Sequence, residues 1–371
     1  MPAQAATRPR FIGLDIIRLI SFVAIAYFHI SLIVYYQRDV PLSDVSWFAA
    51  AIEVYARTLA FSGFTILFLT SLLIAYSGKS LMRRLGLFSF LICGWIIFCL
   101  FMGYSYSDFL VWDIYPLIVL GILTATLAEK YSLNLVNILA FFGIMLLCIP
   151  FWQFAELVSM SELWRNVLGF AYCDKDISEW PVLPWIGLVW LGYGCGVALR
   201  RVIETGGARL DSAELKVTRP ELGLWVVLLG ASTLAWGPYY NIQLGDRFSC
   251  EAYRMAPYIF WSHLIWPIFF IRLSVAPRVN AWLTGLKPAL WVAELHISRK
   301  FFLGYFLSFL ICHLFNALWQ IEAIQSSGVA NEWAVALAVI YLPTIEYATR
   351  ITSLLLTLLV KKMTPAKSAL S

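Results

Sequence analysis

Long apolar stretches separated by short polar segments dominate the sequence. Each stretch is about 20 residues long, which is what an α-helix needs to cross the hydrocarbon core of a bilayer. The pattern predicts an all-α fold, a polytopic bundle of about ten transmembrane helices. The predicted spans are 11–36, 57–77, 86–105, 107–128, 132–152, 181–200, 220–240, 256–275, 300–319 and 333–361.

The composition supports an integral membrane protein. Hydrophobic residues make up 61% of the chain and charged residues 13%, with a mean hydropathy of +0.78. Soluble domains typically carry about 25% charged residues. We therefore expect a cytoplasmic N-terminal segment (1–10), a single transmembrane domain (11–361) and a cytoplasmic tail (362–371). The net charge of +5 gives no reason to expect a nucleic-acid partner.

The distribution of Lys and Arg predicts the orientation. If the N-terminus is cytoplasmic, most cations outside the spans fall in cytoplasmic segments, as is usual for membrane proteins. Both termini are then cytoplasmic, and 201–219 and 276–299 form inner loops. We expect a multi-pass protein of a bacterial inner membrane.

The seven cysteines show no metal-ligand spacing, so no metal site is expected. Cys173 and Cys250 fall in predicted outer loops. An oxidising outer compartment would allow these two residues to form a disulfide, if their Cα atoms come close enough.

The first predicted span carries three ionisable residues on one helical face: Asp15, Arg18 and His29. Charges inside a bilayer are costly and usually face a protein interior or a watery cavity. Arg18 and His29 lie about 16 Å apart along the helix axis. The face therefore offers a cation near the cytoplasmic end and a candidate base nearer the outer surface.

Other spans add ionisable residues. Asp113 and His263 are expected at a depth similar to that of His29 and could share its site, although a histidine between tryptophans is also typical of packed structure. Glu346 and Arg350 are spaced as a helical ion pair, which suits an interhelical clamp or a ligand contact.

Several motifs resemble the transmembrane acyltransferase superfamily. The opening helix, RFIGLDIIRLISFVAIAYFH, is similar to the signature in which an arginine precedes a histidine by eleven positions, here Arg18 and His29. The segment FSGFTILFLTSLLIA with the basic turn that follows resembles the second helix of that superfamily.

Later motifs are similar to the branch of the heparan-α-glucosaminide N-acetyltransferase catalytic domain. They are DIYPLIVLGIL, PVLPWIGLVWLGYGCG and SRKFFLGYFLSFLICH. The last resembles a helix that usually bears two histidines; His313 is retained, and Ser308 stands in the place of the other.

The resemblance implies transfer of an acyl group, commonly acetyl, from cytosolic acyl-CoA to a hydroxyl or amine of a carbohydrate or glycolipid across the bilayer. Acyl-CoA would be a co-substrate, with no bound cofactor. The implied base is His29, oriented or stabilised by Asp113. Cations at the inner mouth, namely Arg18, Arg83 and Arg84, would bind the CoA phosphates. Asp15, His263 and His313 are candidate site-lining residues.

Two other functions suit the same charges. A transporter or flippase of envelope glycan precursors also needs intramembrane ionisable residues, although the sequence shows no paired halves of the kind many transporters have. An inactive binding module of the same fold is the third hypothesis.

Overall fold

A computed structural model describes residues 9–35, 62–101, 114–149, 182–205, 215–240, 257–319 and 330–363. Every extended regular element in these ranges is a helix, which confirms the all-α prediction. The helices are α1 (Ile12–Tyr35), α2 (Ser62–Ser77), α3 (Leu81–Phe101), α4 (Ile114–Tyr131), α5 (Leu133–Leu147), α6 (Val182–Thr205), α7 (Arg219–Tyr240), α8 (Pro257–Ser274), α9 (Pro277–Gly285), α10 (Lys287–Glu294), α11 (His296–Arg299), α12 (Phe301–Trp319) and α13 (Ala330–Met363).

Each predicted span overlaps one of the longer helices. Within the described ranges, α6 alone is long and apolar enough by composition to cross a membrane, and four shorter apolar helices accompany it. The number of membrane crossings therefore stays a prediction. The segment 276–299, which we expected to be a loop, instead contains the short helices α9, α10 and α11. In α10, buried Ala289 and Ala293 alternate with exposed residues on a helical period, which explains the difference there.

Local capping explains several helix ends. Ser132 accepts a hydrogen bond from the Leu135 backbone N–H at 3.2 Å and begins α5. Before α7, Thr218 and Glu221 form a reciprocal capping box. Gly78 follows α2 with φ of 57°, a left-handed conformation that glycine adopts without strain.

The chain divides into two compact units. The first comprises Met1–Leu14 and Phe64–Trp282. At its centre, α6 packs against α4 and α5. Gly143 of α5 and Gly187 of α6 face each other so closely that a Cβ on Gly187 would lie 2.6 Å from the Gly143 carbonyl oxygen. Gly192 meets the Phe68 backbone of α2 in the same way. Glycines thus allow the backbones around α6 to approach closely.

The second unit comprises Asp15–Gly63 and Leu283–Ser371. Here α12 packs against α13, and α11 contacts both. Phe22 of α1 meets Phe301 of α12 edge to face, with ring centroids 5.7 Å apart. The Tyr341 hydroxyl donates to the Ser308 carbonyl oxygen at 2.8 Å. A buried aromatic core therefore joins α1, α12 and α13.

Large apolar side chains are exposed along several helices. A water-soluble protein seldom exposes apolar patches this extensive, and such patches mark protein or membrane contacts. Prominent examples are Phe141 and Phe142 on α5, Val226, Val227 and Leu234 on α7, and Leu354, Leu355 and Leu358 on α13.

Candidate functional site

A buried polar cluster lies where the start of α3 meets the ends of α4 and α6. We define it by Arg84 of α3, Thr126 and Glu129 of α4, and Tyr193 and Arg200 of α6. Arg84 is only 4% exposed. Because a buried charge is costly unless it is paired and hydrogen-bonded, the neighbours of Arg84 decide whether this arrangement is stable.

Hydrogen bonds within the cluster link its three helices. Arg84 Nη1 donates to Thr126 Oγ1 at 2.9 Å, to Glu129 Oε2 at 3.3 Å and to the Tyr193 hydroxyl oxygen. The Tyr193 hydroxyl donates to Glu129, and Arg200 Nη2 donates to the other oxygen of the same carboxylate. Arg200 Nη1 also donates to the Ala75 carbonyl at 3.0 Å, which brings in α2.

Glu129 is the electrostatic centre of the cluster and lies just beyond the predicted span 107–128. Burial by itself would raise the pKa of Glu129. Hydrogen bonds from Tyr193 and Arg200, together with the charges of Arg200 and Arg84, outweigh burial and hold that pKa below its usual value. The carboxylate stays ionised, and the two guanidinium groups leave the cluster with a net positive charge.

Three members of the buried cluster have an exposed cation as their neighbour in the sequence. Arg83, Lys130 and Arg201 each adjoin a cluster member in sequence, and each is exposed. Consecutive helical residues point about 100° apart, so burial of Arg84 directs Arg83 outward. We call Arg83, Lys130 and Arg201 the basic rim. Exposed cations next to a positive buried cluster suit an anionic group such as phosphate.

Asp15 and Arg18 form an ion pair in the second unit. Arg18 Nη2 donates to Asp15 Oδ1 at 2.8 Å, and both side chains are largely buried. Ser298 Oγ of α11 donates to the Asp15 carbonyl oxygen at 3.4 Å. The structure therefore brings together these two site residues that the sequence placed on one face.

The remaining sequence-predicted residues are only partly described. His29 lies in α1 and His263 in α8, but their side chains lie outside what the structure describes. Asp113, Cys173 and Cys250 lie outside the described residues, so the base–carboxylate pair and the disulfide stay predictions. His313 lies on α12 and is partly buried.

Glu346 has the role of an interhelical clamp. Its carboxylate accepts hydrogen bonds from the backbone N–H groups of His296 at 2.9 Å and Ile297 at 2.8 Å, at the start of α11. It also lies 3.2 Å from His296 Nδ1. Arg350 is exposed, and in the described part of the chain Glu346 pairs with α11 rather than with Arg350.

Glu129, Tyr193 and Arg200 were not among the residues that the sequence singled out. The sequence did contain a signal for this cluster. Arg84, Glu129 and Arg200 lie near ends of predicted spans, and the predicted topology places those ends on the same side of the membrane. Sequence alone could not show that they meet. Across the described residues, no group of three or more metal-binding side chains comes together.

The fold and these sites define an all-helical protein with exposed apolar faces and a buried cationic cluster. The family described as heparan-alpha-glucosaminide N-acetyltransferase, catalytic, matches residues 10–242. This range is more than half of the 371 residues, so the chain belongs to that family. The resemblance seen in the sequence is thereby confirmed, and it indicates a membrane acetyltransferase-type function. No curated protein and no solved structure matches the chain significantly.

Proposed function

We propose that this protein transfers an acyl group, commonly acetyl, from cytosolic acyl-CoA to a hydroxyl or amine of an extracytoplasmic carbohydrate. The observation that carries the proposal is the family match over residues 10–242. That range includes the candidate base His29, the candidate donor-side residue Arg18 and the cationic cluster around Arg84. The exposed apolar helix faces support a location in the bilayer.

The donor's phosphates would bind at the basic rim. CoA is polyanionic, and guanidinium groups form strong, charge-assisted hydrogen bonds with phosphate. Arg83 is exposed and offers such a contact, whereas Arg84 is engaged by Glu129 and Tyr193. We therefore assign direct phosphate binding to Arg83 and assign to Arg84 the task of holding the helix ends that carry the rim.

His29 would act as the general base on the acceptor. As the acceptor oxygen or nitrogen attacks the thioester carbonyl, His29 takes its proton, the carbon–sulfur bond breaks, and CoA leaves as a thiolate that is then protonated. Asp113 would orient the imidazole or stabilise its protonated form. This assignment describes direct transfer; passage of the acyl group through an acyl-histidine is the alternative route.

The test compares envelope glycans from cells with and without the protein by mass spectrometry. Loss of one acyl mass from a glycan is expected in its absence. Purified protein in vesicles should then acylate that glycan only when acyl-CoA is supplied, and His29→Ala should lower kcat by about 10²-fold or more. Transport of a glycan without acyl-CoA would instead establish the transporter hypothesis.

A further inference from the structure

The short helices α9 and α10 repeat one exposed pattern. Arg278 precedes Trp282 by four residues in α9, and Lys287 precedes Trp291 by four residues in α10. Residues four apart lie on one face of a helix. All four side chains are exposed, and the two tryptophans are 64% and 66% exposed. Each helix, taken by itself, thus presents an indole ring beside a cation.

In α10 the exposed pair lies opposite the buried side of the helix. Ala289 and Ala293 are the buried residues, and a rotation of 100° per residue places Trp291 about 180° from the midpoint between them. The small alanines fit α10 against its own unit. Because the buried alanines lie on one side of α10, Trp291 lies on the opposite, exposed side.

In α9 a different buried residue fixes the same arrangement. Asn280 is 2% exposed, and its Oδ1 accepts a hydrogen bond from the Ile12 backbone N–H at 3.1 Å. Arg278 and Trp282 lie on the opposite side of the helix. Different anchoring contacts thus leave a tryptophan and a cation exposed on each of the two helices.

The chain positions of both helices place them beside predicted spans. α9 begins at Pro277, directly after the predicted span 256–275, and α10 ends at Glu294, shortly before the predicted span 300–319. Tryptophan is enriched at the boundary between membrane and water, where its apolar ring and polar N–H both find suitable surroundings. A cation on the same face is complementary to the phosphate of an anionic lipid.

We propose that α9 and α10 are interfacial helices that bind the headgroup region of a leaflet containing anionic phospholipid. In each helix the tryptophan enters the boundary with the acyl chains, and Arg278 or Lys287 binds lipid phosphate. The inference rests on the proposed membrane location and is independent of acyl transfer. It assigns a lipid-binding role to the segment 276–299, which the sequence indicated only as a loop.

The test uses the full chain containing 5-fluorotryptophan in phospholipid nanodiscs. Because the sequence contains 16 tryptophans, Trp282→Phe and Trp291→Phe identify the two fluorine resonances. A nitroxide on lipid acyl carbon 5 should broaden both resonances, whereas a soluble gadolinium chelate should leave them sharp. Broadening by the soluble chelate alone, or by neither agent, would overturn the proposal in favour of water or a protein partner.

A second comparison tests whether the exposed cation binds anionic lipid. Spin-labelled phosphatidylglycerol should broaden the Trp291 resonance more than spin-labelled phosphatidylcholine, by about five-fold for one nearby cation. Lys287→Gln should remove that preference. The matched variant Arg350→Gln, which removes an exposed cation from α13, should preserve it. Equal broadening by both lipids in the wild type would overturn the anionic-lipid assignment.

Two results separate this proposal from the proposed function. A chain that enters nanodiscs and shows the lipid effects but never uses acyl-CoA supports the interfacial helices and contradicts acyl transfer. A chain that acylates glycan while Trp282 and Trp291 face water overturns the interfacial helices alone.

Discussion

Arg84 on α3 and Glu129 on α4 form a largely buried ion pair, with the guanidinium Nη1 3.3 Å from the carboxylate Oε2. The same carboxylate also pairs with Arg200 on α6. One acidic side chain therefore ties together three helices. Breaking a buried pair from one side leaves an uncompensated charge, which is far more costly than removing an exposed cation.

The first prediction concerns Glu129. Glu129→Gln keeps the shape of the side chain but leaves Arg84 and Arg200 without their shared counter-charge, so the free energy of unfolding should fall by about 3–5 kcal/mol. Thermal unfolding in detergent measures the loss. The control Arg201→Gln removes an exposed neighbour of Arg200 and should change stability by less than about 0.5 kcal/mol. Equal effects of the two variants would contradict the central role of Glu129.

The second prediction concerns acid pH. The folded protein holds the pKa of Glu129 below its usual value, so this group stabilises the fold above its unfolded pKa. That contribution is lost as the pH falls through the folded pKa. Unfolding temperatures measured between about pH 6 and pH 2 should therefore decrease less steeply for Glu129→Gln than for the wild type. Parallel curves would show that Glu129 does not titrate in this way.

The third prediction separates neighbouring arginines. Arg83→Gln should raise the KM for acyl-CoA with little change in kcat or stability, because it removes a phosphate contact made equally in the ground and transition states. Arg84→Gln should mainly lower stability, because it breaks the buried cluster. The control is Arg219→Gln, which removes an exposed cation outside the basic rim. A KM that Arg83→Gln leaves unchanged would exclude direct phosphate binding by Arg83.

The fourth prediction separates two roles of Arg18. If Arg18 binds the donor, Arg18→Gln should raise the KM for acyl-CoA, whereas Asp15→Asn should affect mainly stability. Each variant breaks the ion pair seen at 2.8 Å, so their stability losses should be similar. Initial rates at varied acyl-CoA provide the measurement. If both variants raise the KM equally, the ion pair rather than Arg18 itself shapes the donor site.

The fifth prediction concerns the clamp on α11. Glu346→Gln weakens the acceptor for the His296 and Ile297 N–H groups, so stability should fall by about 1–3 kcal/mol. Arg350→Gln alters the exposed residue one turn away and should have almost no effect. Thermal unfolding of both variants distinguishes the clamp from the helical ion pair that the spacing had suggested.

The sequence by itself determined the class of protein and much of its secondary structure. Apolar runs near the length of a membrane span predict helices. In lipid the backbone N–H and C=O groups find no water, and a helix satisfies their hydrogen bonds within one segment. Local spacing also placed Asp15 and Arg18 on one face, since residues three apart on a helix are neighbours. The arginine–histidine spacing in the first helix is equally local; it indicated the superfamily, and the later motifs indicated the family.

Only the tertiary structure decided which charged residues meet. Glu129 and Arg200 are 71 positions apart, and no local period relates them. Their contact accompanies the close packing of α4 against α6, where a Cβ on Gly121 would lie 2.5 Å from Val189 Cγ1. Likewise, the spacing of Glu346 and Arg350 suggested an ion pair. In the structure the backbone N–H groups at the start of α11 donate to the Glu346 carboxylate instead. Such outcomes arise from competition among partners brought together by packing, which the order of residues along the chain does not specify.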